Sequence, residues 1–127
     1  MIKVIEIRKI IKTQLKSIHP RIYHSSAPDN ATFPYLVYDL PNSNDDGTLE
    51  QFVLDVDAWD LPAGGDTAAL ETLIDSADKS LHRKTFTIND DLAVTFYREN
   101  RLTLTDDDPN IKRRKYTYEV RTFERRI

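Results

Sequence analysis

The chain has 127 residues, 39% hydrophobic and 31% charged, with a formal net charge of −3. That is the size of one domain burying roughly two thirds of its unfolded surface, and the balance suits neither a disordered nor a membrane chain. The absence of cysteine excludes disulfides, thiolate nucleophiles and Cys-ligated zinc, and three glycines are too few for a Gly-rich phosphate loop.

Charge is unevenly spread. Met1 to Arg21 carries six Lys/Arg against Glu6, Ile22 to Asp78 carries twelve Asp/Glu and no Lys or Arg, and Lys79 onward carries twelve basic and eight acidic residues. Either acidic and basic strands pair across a sheet, or the folded subunit has faces of opposite sign that favour head-to-tail association of copies. No apolar run approaches the roughly 20 residues of a spanning helix and no signal-peptide pattern opens the chain, so a cytoplasmic origin without membrane contact is expected.

Val4, Ile7, Ile11, Leu15 and Ile18 mark one face of a helix from Ile2 to Ile18, and Lys3, Arg8, Lys9, Lys12 and Lys16 fill the rest. His19-Pro20 ends it. Arg21 to His24 fits a short strand, Ser25 to Thr32 a loop, and Phe33-Pro34-Tyr35 opens a strand with Leu36, Tyr38 and Leu40 on one face and Tyr35, Val37 and Asp39 on the other. Pro41 to Leu49, which includes Asp45 and Asp46, is rich in turn formers and reads as a long loop, mobile until a partner orders it.

Phe52, Leu54, Val56 and Ala58 alternate with Val53, Asp55, Asp57 and Trp59, which predicts a strand with one buried face. Leu61 to Gly65 breaks it, Asp66 or Thr67 can cap a helix, and Leu70, Leu73, Ile74, Ala77 and Leu81 give that helix an apolar side directed at the even-numbered strand face. Lys84 to Ile88 and Leu92 to Tyr97 read as strands. Arg98 to Arg101 interrupts the pattern like a bulge before Leu102 and Leu104 resume it. Asp106 to Asn110 is a turn, and Ile111 to Phe123 is the closing strand. The expected class is α+β, a single domain with two helices packed on a mainly antiparallel sheet.

Chemistry-bearing patterns are sparse. Asp55 and Asp57, or Asp106 to Asp108, could serve a metal-dependent carboxylate enzyme, but neither spacing matches a ligand array. His19, His24 and His82 form no ligand motif, and no serine sits on a glycine-flanked elbow. No cofactor is expected. Lys112-Arg113-Arg114-Lys115 beside Tyr116 and Tyr118 has the composition of a nucleic-acid contact, yet a pI near 5.6 argues against specific binding. Trp59 lies opposite the inferred core, either under the N-terminal helix or at an interface. The candidate interface residues are therefore Trp59, Asp55, Asp57, Asp45, Asp46, Lys112, Arg113, Arg114 and Lys115.

Taken in order, the basic N-terminal helix, Phe33-Pro34-Tyr35 leading to Tyr38, the polar loop, the strand ending at Trp59 before a Gly-led helix, and Asp108 to Arg121 resemble the tail-completion, or tail-terminator, proteins of long-tailed phages and prophages. The resemblance covers nearly the whole chain. It implies a non-enzymatic α+β subunit in a ring, typically a hexamer, at the head-proximal end of the tail tube. The implied partners are further copies, the tube protein and head-connector proteins, with assembly in the host cytoplasm. A head-side connector ring protein is the neighbouring alternative.

Overall fold

A computed structural model describes residues 2–45 and 50–124. In chain order these form helix α1 (Ile2–Lys16), strands β1 (Ile22–His24), β2 (Tyr35–Asp45) and β3 (Glu50–Asp60), a 3-10 turn (Ala63–Gly65), helix α2 (Ala68–Leu81), and strands β4 (Thr85–Asn89), β5 (Leu92–Thr105) and β6 (Lys112–Glu124). The strands make one sheet in the order β1-β2-β3-β6-β5-β4. Only β1 and β2 run parallel; the other neighbouring pairs are antiparallel. This is the expected α+β class.

The alternation in β3 is obeyed throughout. Phe52, Leu54, Val56 and Ala58 are at most 2% exposed and face Val120, Tyr118, Tyr116 and Arg114 of β6 in register. Ile7, Ile11 and Leu15 of α1 and Leu70, Leu73, Ile74, Ala77 and Leu81 of α2 join them in one core. Both helices thus cover the same sheet face, and the face bearing Asp55, Asp57 and Trp59 is left without a helix. Burying each large aliphatic side chain of this core contributes about 1.5–3 kcal/mol against the entropy of ordering the chain.

Local signals explain the breaks. Gly64 and Gly65 adopt φ of +69° and +76° with no atom within 4 Å of a notional Cβ, so the 3-10 turn needs glycine for its backbone conformation and not for space. Asp66 Oδ1 then accepts from the Ala68 N–H at 2.9 Å and opens α2. At the other end of α1, His19 Nε2 and Arg21 Nε both donate to the Pro34 carbonyl, at 2.8 and 3.1 Å, tying the helix exit to the start of β2.

Two expectations need correction and a third is borne out. Residues 41–45 are not loop: β2 continues through them, pairing Asn42 to Asp45 with Val53 to Glu50 after a register shift between Asp39 and Asn42 that absorbs Pro41. The remainder of the expected mobile loop, Asp46 among it, lies outside the described residues. Trp59 is not under α1, because α1 and Trp59 are on opposite faces. Finally, β5 is one strand across Arg98 to Arg101, with the anticipated bulge as a register shift between Arg98 and Asn100.

Candidate functional site

The open sheet face carries most of the candidate interface residues, and the register decides how they meet. Trp59 is directly opposite Arg113, whose guanidinium lies 3.8 Å from the indole centroid. On the other side of β3, Tyr35 stacks on Trp59 with centroids 5.9 Å apart and planes 13° from parallel, and Tyr23 and Phe33 pack on Tyr35. One end of the face is thus an aromatic row closed by an arginine.

Next along the strands, ion pairs run diagonally between β3 and β6. Arg113 reaches Asp57 at 3.8 Å and Lys115 reaches Asp55 at 3.5 Å, while Thr117 Oγ1 donates to Asp55 at 3.4 Å. Further on, Arg121 grips Glu119 with two bonds of 2.8 and 3.2 Å and lies over the Tyr97 ring. That grip holds the Glu119 carboxyl below its ordinary range. Asp57 shifts the other way: burial raises its pKa against the pull of Lys115 and Arg113. The pair with Arg113 is long, and Asp57 Oδ1, Arg113 Nε and Trp59 Nε1 are all buried without a hydrogen-bond partner. Stacking on Trp59 fixes the guanidinium where its Nε cannot meet the carboxylate.

Strand alternation splits the basic cluster. Arg113 and Lys115 are on the open face, whereas Arg114 turns to the helix side and pairs with Glu71 of α2. Lys112 Nζ donates to the Pro109 carbonyl at 3.0 Å. Arg113, Arg114 and Lys115 thus meet acids of the acidic segment within one chain, so pairing inside the subunit accounts for the charge split as far as these three go. Asp45 lies in β2 opposite Glu50, away from this row.

Asp106 to Asp108 form a turn and not a ligand set. Asp106 Oδ2 accepts from the Asp108 N–H at 3.1 Å and Asp108 Oδ1 from the Asn110 N–H at 2.9 Å. Among the described residues no group of three or more His, Asp or Glu is placed to hold a metal ion. Among the described residues no helix is long and apolar enough to cross a membrane.

A buried polar network escaped the sequence reading. Asp78 of α2, 5% exposed, accepts from Tyr118 Oη at 2.7 Å and pairs with Arg98 at the bulge; the Arg98 N–H donates to His82 Nδ1 at 2.9 Å. Burial and the bond to Asp78 push the Tyr118 hydroxyl far above its ordinary pKa. An aspartate at a core-facing helical position was the available signal. The network pins α2 to β5 and β6.

These observations define an α+β subunit in which the charged residues of the open sheet face largely contact each other. The profile of the family "Tail completion protein gp17" matches residues 7–122, and the chain belongs to that family. It is accordingly a structural phage tail protein. Among solved structures, a chain of the "Virion of native gene transfer agent (GTA) particle" superimposes with a TM-score of 0.67 at 10% identity, over 88% of this chain and 90% of that one. At that identity the likeness speaks for the fold. No curated protein matches the chain.

Proposed function

We propose that copies of this chain form a ring, a hexamer, that completes the head-proximal end of a phage tail tube and joins it to the head, without catalysis, cofactor or specific DNA binding. The observation that carries this reading is the tail-completion family match across residues 7–122. The pairing of Arg113, Arg114 and Lys115 with acids of the same chain is consistent with a subunit that does not retain DNA. Assembly takes place in the host cytoplasm, and the finished ring stays in the virion.

The test uses tails assembled with and without the chain, viewed by electron microscopy. Added protein should appear as one six-copy ring at a single end of each tube and should restore joining to heads. Tubes that join heads equally well without it, or protein bound elsewhere on the particle, would remove the reading.

A further inference from the structure

The cations of β6 are engaged within the chain, but those on the outer face of α1 are not. Arg8 and Lys12 form no ion pair among the described residues, and between them and β1 runs a shallow groove bordered by His24 and Tyr38. Ile5, one turn before Arg8 and Lys9, is 43% exposed, an aliphatic knob among cations. A second patch has the opposite character. Where the β5–β6 hairpin meets the start of α2, a groove of about 530 Å³ has Leu104, Pro109 and Ile111 in its lining and Asp106 at its edge. Asp107 is exposed beside it, and the two cations that also line the groove, Lys112 and Arg114, are turned to Pro109 and Glu71.

We propose that the outer face of α1 docks into the hairpin groove of a second copy of this chain, Ile5 meeting Leu104 and Pro109 while Arg8 and Lys12 meet Asp106 and Asp107. This rests on the ring reading and specifies its contact. The two patches share no residue and lie on different elements, helix α1 and the β5–β6 hairpin, so the contact is heterologous: each copy offers one patch to either neighbour, and a rotation that closes yields a ring. Apolar contact and charge point the same way, and the exposed charges steer encounter. It places the contact away from the self-paired Asp55, Asp57, Arg113 and Lys115.

The chain has no cysteine, so disulfide trapping is specific. Ile5→Cys and Leu104→Cys variants of the full chain, mixed under mild oxidation, should give a cross-linked pair at least tenfold above either variant alone, and the double variant should give a ladder of multimers. Adding Arg8→Glu and Lys12→Glu should cut the yield about tenfold, and adding Asp107→Lys to the partner should recover part of it. Equal cross-linking by one variant alone, or no product above an Ile5→Cys plus Thr87→Cys control, would overturn the contact. So would DNA retention that Arg8→Glu abolishes with no cross-link formed. Rings at tube ends with no Ile5–Leu104 bond would overturn the contact and keep the ring; the bond without rings at tubes would do the reverse.

Discussion

Burial outweighs two cations at Asp57, and that has a measurable sign. Its folded pKa is raised, so the folded chain holds a proton that the unfolded chain has released. The stability linked to Asp57 is therefore full below the ordinary carboxylate range and is lost as pH rises through the raised value. Asp57→Asn should remove this falling contribution over the range just above the ordinary carboxylate pKa, so that its stability rises relative to the wild type as pH increases there. Urea unfolding of both proteins across that range is the check, and parallel curves would contradict it. At the Asp78 network the cost depends on what is left behind. Tyr118→Phe removes one donor and should cost about 1 kcal/mol, while Asp78→Ala strands the Arg98 guanidinium and should cost about 3 kcal/mol. Thermal melts that rank the two in reverse would show that Arg98 finds water.

Among the elements, the 3-10 turn offers the cleanest backbone test. Gly64→Ala or Gly65→Ala forces a side chain into left-handed geometry without any clash, so each should cost about 1 kcal/mol, read as a fall of a few degrees in melting temperature. The β3–turn–α2 unit was legible because its signals are local: a strict period of two, a Pro/Gly break, then a period near 3.6. The far half of β2 was not legible. Pro41 to Asp45 has turn composition, and only pairing with Glu50 to Val53 holds it extended. Trp59 was legible as off-core, but its partners Tyr35 and Arg113 are 24 and 54 positions away in sequence, and the register that brings them together is set by the whole sheet. The bulge at Arg98 was readable from its broken pattern; that it delivers Arg98 to Asp78 was not, because α2 had first to be placed on β6.

For the whole molecule, the distribution of unpaired charge separates stability from assembly. In sequence Lys112 to Lys115 is a candidate interface cluster, where charge reversal is expected to impair assembly more than folding. In the folded chain Lys115 pairs with Asp55 and is opposite Asp57, so Lys115→Glu places three acids together and should cost about 1–2 kcal/mol. Lys12→Glu on α1 disturbs no pair and should change stability by less than about 0.5 kcal/mol. Denaturant melts of the two variants decide this, and a neutral Lys115→Glu would return the β6 cluster to the list of free surface charges.

The sheet is long in the middle and short at its borders: β3, β5 and β6 have 11, 14 and 13 residues, whereas the edge strands β1 and β4 have 3 and 5. The flanks of α1 border both, against His24 on one side and Phe86 and Ile88 on the other. An exposed strand edge is a template for adding the same strand from another molecule, with no natural end to the stack. Over the stretches they cover, Leu36 to Tyr38 of β2 and Leu92 to Thr95 of β5, the short border strands leave little backbone to template that fibre-forming route, so recognition there falls to side chains.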